Sequence, residues 1–219
     1  MDTMADDAVQ IARFEVAKLL LERLPFFLVA TSGFCLIQVF TWGGFPTYWP
    51  AGLWVLFSLG VIAPGWLLIR RLSVAYAVVG INQKLVEDIN NLAIVLAVMT
   101  GLIWVFASFV QFYLMEPNQW LYLSALAVIA VISAGLLSHN LKAALLVAVI
   151  ILLPLLIEVS IAGNGANLYF ICSAAGAVAV LFLGLRHQQR TLEQNIAFGC
   201  QVEAALKHQK ASSYLLEQH

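Results

Sequence analysis

Residues 142–162, KAALLVAVIILLPLLIEVSIA, form an apolar run of membrane-crossing length, interrupted by one proline and one acid. About 20 apolar residues cross the hydrocarbon core as a helix, because every backbone N–H and C=O must find its partner within the segment. Pro154 has no N–H to donate, so a helix there frees the carbonyl of Ile150 and is expected to kink. Glu158, one turn further on, is the one acid assigned to a span. A carboxylate is costly in lipid, so it is expected to face the bundle interior or a wet cavity. A chain with such a segment at its centre must fold around a bilayer.

Composition agrees. The 219 residues are 62% hydrophobic and 11% charged, with a mean hydropathy of +0.91. Soluble domains run near 45–50% apolar and 25% charged, so that class is excluded. A net charge of -1 argues against a nucleic-acid partner. The first apolar run follows a charged segment holding Asp2, Asp6, Asp7, Arg13, Glu15, Lys18, Glu22 and Arg23, which does not read as a cleavable signal peptide. Cys35, Cys172 and Cys200 lie far apart and form neither a disulfide framework nor a zinc site.

Apolar runs and turn residues divide the rest into an all-α, polytopic integral membrane protein of six transmembrane helices. Residues 1–23 read as a cytoplasmic segment with an amphipathic helix ending at Leu24-Pro25. Residues 24–185 read as the six-helix domain, and 186–219 as a cytoplasmic helix. Spans are expected near 24–42, 51–69, 92–114, 120–137, 143–162 and 168–185, with a polar connection over 72–91. Under this scheme all eleven Lys and Arg residues fall on one side, and the turns at 43–50, 115–119 and 163–167 carry none. The positive-inside rule then puts both termini in the cytoplasm.

Three constellations stand out. Gln38 and Thr31 in the first span, and Thr100, Trp104, Ser108 and Gln111 in the third, recur at helical spacing toward the outer side, where Glu158 also lies. They suit either a polar-based pocket for a small ligand or headgroup, rimmed by aromatic residues, or ordinary hydrogen bonding between helices under an aromatic belt. His139 and His187 sit at cytoplasmic span ends, where solvation is the commoner fate and metal ligation the rarer one. Ser173, Gly176, Ala177 and Gly184 make a small-residue face suited to dimerisation, and Leu192, Ile196 and Leu206 continue it as a weak heptad spoiled by Gly199, Glu203 and Lys210. No nucleophile elbow, Walker loop or zinc-protease pattern occurs, so neither an enzyme nor a cofactor or metal is expected.

The step Glu22-Arg23-Leu24-Pro25, the turn Phe45-Pro46 with a following span ending in Arg70-Arg71, and the tail RHQQRTLEQNIAFGCQVEAALKHQKASSYLLEQH form one layout. It resembles the multi-span N-terminal sensor region of bacterial histidine kinases and diguanylate cyclases. That resemblance implies a two-component-type sensor in the bacterial inner membrane, dimeric through its last span and tail, whose helix movement reaches a cytoplasmic output domain or partner. The kinase phospho-acceptor motif and the GGDEF signature are absent, so no activity carries over. On this reading Glu158, Gln38, Gln111, Trp104 and Ser108 would hold the ligand, and Gly176, Gly184, Leu192, Ile196 and Leu206 would pass the signal. The competing reading is a small transporter or a scaffold subunit of a membrane complex. A transporter would pair its intramembrane acid with a second charge near the midplane, and no basic residue lies in any span.

Overall fold

The computed structural model describes residues 2–41, 49–114, 119–161 and, further on, 179–180, 182–187, 190–191, 194–195, 198–199 and 202. Every regular element among them is helical. The order is α1 (Asp2–Thr41), α2 (Trp49–Val79), α3 (Gln83–Leu114), α4 (Gln119–Leu136) and α5 (Leu141–Ile161), followed by helical residues between 179 and 202. Gln10–Phe40, Trp49–Val79 and Gln83–Gln111 are each long and apolar enough to cross a membrane, and Ala125–Leu136 and Leu141–Leu153 are shorter apolar helices. This is a helical membrane protein.

α3 is the centre. It packs most extensively on α5, then on α2 and α1, while α4 lies against α5 and touches α1. Of its apolar span 56% is buried, against 22% for α2, which turns most of its surface outward. The sequence explains the difference. α3 carries small residues on one face (Ala93, Ala97, Gly101) and larger ones on another (Ile89, Leu96, Ile103), so neighbours fit on both sides. α2 buries only a narrow stripe (Ala51, Trp54, Ser58, Gly65, Ile69), in steps of three or four residues or two turns.

The tightest approach is between α3 and α5. A Cβ placed at Gly101 would lie 2.6 Å from Cγ2 and 2.7 Å from Cβ of Ile150, so the contact requires glycine. Around it Ala143, Ala144, Val147 and Ala148 of α5 are buried. Small side chains let helix backbones come close where lipid gives no hydrophobic drive for association. A second glycine, Gly65 of α2, receives Leu28 of α1 and Leu96 of α3.

α1 is one helix where the sequence predicts a break at Leu24-Pro25. It passes through Pro25 and buries Ala17, Leu21, Leu24, Leu28, Thr31, Cys35 and Gln38 in alternating steps of four and three. That is the seam of a coiled coil, and it starts before the proline. The buried contacts on either side hold the helix together despite the hydrogen bond lost there. The polar connection expected over 72–91 also shrinks. α2 runs on to Val79 and α3 starts at Gln83, leaving only Gly80, Ile81 and Asn82 between them.

That short joint has a local cause. Gly80 adopts φ 75°, which suits glycine, and donates its N–H to the Tyr76 carbonyl to close α2. Asn82 then accepts from the Leu85 N–H at 2.8 Å and caps α3. The α4–α5 turn expected at 138–142 is found at residues 137–140. α5 continues as helix through Pro154, whose side chain lies outside the described residues, as do most of the expected outer turns, while Trp49 and Pro50 of the first of them begin α2.

Gly101→Val should lower stability by about 1–3 kcal/mol, since the overpacked contact must shift two central helices. Adding Ile150→Ala should return part of that loss, as thermal unfolding of the four proteins in one detergent would reveal.

Candidate functional site

The buried polar groups of the first three helices gather along the seam between them. Near the C-terminal ends of α1 and α3, Gln38 of α1 donates through Nε2 to Oε1 of Gln111 on α3, at 3.3 Å. Gln38 is buried and Gln111 half-buried. Further down, Cys35 of α1 is buried, as is Ser58 of α2. Trp54 of α2 donates its indole N–H to the Ile103 carbonyl of α3 at 2.7 Å, and its ring lies 6.3 Å from that of Trp104, tilted by 59°. Three helices are thus joined by polar bonds inside an otherwise apolar bundle.

Most hydroxyls on this seam serve their own helix. Thr31 donates to Phe27, Ser58 to Trp54 and Ser108 to Trp104, each to the carbonyl four residues back, at 2.7–2.9 Å. Such bonds satisfy a buried hydroxyl without a neighbour. Thr100 Oγ1 and Trp104 Nε1 differ. They stand one turn apart on α3, at 0% and 1% exposure, with no hydrogen-bond partner among the described residues. A buried unpaired donor costs on the order of 1–3 kcal/mol, so two in succession mark where a polar group would be held.

Glu158 can be placed only by its backbone. Asn140 bonds to Asn90 and Ile150 meets Gly101, so α5 runs alongside α3 in the same direction. Eight residues beyond Ile150, at 1.5 Å each, put residue 158 about 12 Å further out, level with residue 109 of α3. It also stands two turns beyond Ile151, which is buried. Its side chain lies outside the described residues. Of the five expected ligand residues, the fold brings Gln38, Gln111, Trp104 and Ser108 to one seam and sets the Glu158 backbone at the same depth.

The expected transmitting residues are described only at Gly184, which is exposed and has no atom within 4 Å of the place a Cβ would take. Gly176, Leu192, Ile196 and Leu206 lie outside the described residues. His187 is exposed and its carbonyl accepts from Thr191 at 3.0 Å. No group of three or more His, Cys, Asp or Glu residues that could hold a metal occurs among the described residues.

A second polar cluster closes the other end of the bundle, where the sequence predicts a tight turn with His139 solvated or, more rarely, ligating a metal; the structure instead buries that histidine. Asn140 caps α5 by accepting the Ala143 N–H at 3.0 Å, and its own amide donates to Oδ1 of Asn90 on α3, also at 3.0 Å. Beside it Ser138 Oγ and His139 Nδ1 are buried and have no hydrogen-bond partner among the described residues. Burial pushes the His139 pKa below its ordinary 6.5, and the nearby positive charge of Arg23 pushes it the same way. The signal was available in Ser-His-Asn between two apolar runs; what it lacked was Asn90, fifty positions away.

No protein-family model, curated protein or solved structure matches this chain.

Because the folded state holds His139 neutral, unfolded chains take up protons first on acidification. Stability should be unaffected by this group well above pH 6.5, fall as pH drops through 6.5, and level off below the folded pKa. His139→Gln should flatten that part of a thermal-midpoint profile. At the opposite end, a Gln38→Leu and Gln111→Leu double-mutant cycle should return a coupling of about 0.6–1 kcal/mol, in the range of hydrogen bonds between membrane helices.

Proposed function

We propose that the chain is a sensory module of the bacterial inner membrane, with six spans, cytoplasmic termini and a dimer formed through the last span and tail. It would take up a small ligand or respond to the bilayer, and pass a helix movement to a cytoplasmic output partner. The observation that carries this reading is the pair Thr100 and Trp104, buried and without a partner among the described residues, on the most enclosed helix and next to the bonds that join α1, α2 and α3. A ligand offering a hydrogen-bond acceptor there would change the packing of all three. α1 supports the same reading, since its 40 residues reach about 60 Å, roughly twice the hydrocarbon thickness. A rigid rod that starts outside the bilayer and carries Gln38 near its other end suits transmission.

A scaffold subunit is the second reading. It is favoured by an apolar groove of about 620 Å³ between α2 and α3, lined by Leu53, Phe57, Leu102, Val105, Phe106 and Phe109, which would suit a partner's transmembrane helix.

The two separate in one experiment. The chain is fused through its tail to a kinase or cyclase reporter, and single residues are inserted between Arg190 and Lys210. A transmitting helix should give output that oscillates with a period near 3.6 residues. Thr100→Val, Trp104→Phe and Glu158→Gln should then alter stimulus-dependent output while leaving insertion intact. Flat output from an inserted, active fusion, with a partner co-purifying through the α2–α3 groove, would replace the sensor by the scaffold.

A further inference from the structure

On α2 the apolar stripe that faces outward is interrupted once. Leu67 and Leu68 are exposed, Arg70 and Arg71 follow, and Val74 and Val78 resume the apolar surface at 57% and 78% exposure. Leu67, Leu68, Arg70, Arg71 and Val74 line a shallow depression of about 460 Å³. The ion pair found among the described residues is elsewhere, Lys18 with Glu15 at 4.0 Å on α1, and among those residues neither arginine has an acidic partner. Two adjacent guanidiniums with no counter-charge among the described residues thus sit on the outer wall of a membrane helix, with apolar side chains on both sides along the axis.

The geometry points to a binding site for one anionic phospholipid. Its phosphate would lie between Arg70 and Arg71, and an acyl chain would run over Leu67 and Leu68. The charges are complementary, and a guanidinium fork pairs a phosphate through two parallel bonds. A lipid also accounts for the apolar part of the depression, which a free phosphate would leave uncovered. Surface attraction alone predicts a different pattern, in which every cytoplasmic cation contributes alike. The inference rests on the membrane reading but not on the sensing role, since the groove lies on the outer wall and not on the polar seam.

The test uses the purified full chain in nanodiscs of phosphatidylcholine with and without phosphatidylglycerol. It reads the thermal midpoint and the lipids retained in native mass spectrometry. The wild type should be stabilised by phosphatidylglycerol and keep one such lipid. The double variant R70Q/R71Q should bind it roughly tenfold or more weakly, as expected for two lost phosphate contacts, whereas K84Q/K142Q should keep it. R70K/R71K preserves the charge that directs insertion and should fall between the two, because lysine lacks the fork. It carries the test if the glutamine variant fails to insert. Equal loss in R70Q/R71Q and K84Q/K142Q, or no loss in either, would overturn the site. Equal protection by soluble glycerophosphate would assign it to a free anion. Failure of the wild type to enter nanodiscs would instead remove the membrane reading, and a missing lipid with an intact insertion-scan period would leave the sensor proposal standing.

Discussion

Gly101 has no side chain, and Ile150 occupies the space that one would need. The rest of the bundle depends on that close approach. It brings α5 against α3 over a face of alanines, which leaves the other sides of α3 for α1 and α2. In water a burial of this kind would be driven by the apolar surface removed from solvent. In a bilayer the lipid tails are as apolar as leucine, so the association relies on contact area and on the few polar bonds between helices. A glycine in the centre of the most buried helix raises the first of these, and the Gln38–Gln111 and Trp54–Ile103 bonds supply the second.

The polar groups are sorted by what they can reach. Hydroxyls one carbon from the backbone bond to the carbonyl one turn back and leave helix packing untouched. Longer side chains, Gln38, Gln111, Trp54 and Asn140, cross to another helix. This gives the two ends of the bundle different characters. The half holding Gln38 and Gln111 is joined by amide and indole groups among α1, α2 and α3, and the Asn90–Asn140 pair ties α3 to the cap of α5 at the other end. Thr100 and Trp104 fall between these sets, and nothing described within reach completes them.

Much of this was legible beforehand. Long apolar runs alone mark out the helices, because a backbone in lipid has no other way to pair its polar groups. The stripe Thr100, Trp104, Ser108 and Gln111 follows from the 3.6-residue period, and Gln38 from its position on the neighbouring span. Where the reading failed, local signals competed with distant packing. Leu24-Pro25 looks like a helix boundary by itself, yet the seam from Ala17 to Gln38 extends across it. Residues 72–91 read as a polar connection, helical in part, whereas capping by Asn82 and the left-handed Gly80 confine the joint to three residues. The role of Gly101 was not legible at all. Its meaning comes from Ile150, and no periodicity within α3 could reveal it.

The unbroken course of α1 has a mechanical consequence. Gln38 is anchored near one end, and the residues before Ala17 extend past the buried seam as a cantilever. From Gln38 to Asp2 the axis measures about 54 Å. A two-degree tilt of the whole helix about Gln38, buried seam included, would therefore sweep the other end by about 2 Å, a displacement on the scale of a helix shift between discrete packing states. A helix interrupted at Pro25 would lose that leverage at the joint. A stiff arm of this length carries any tilt of its packed part undiminished to its far end.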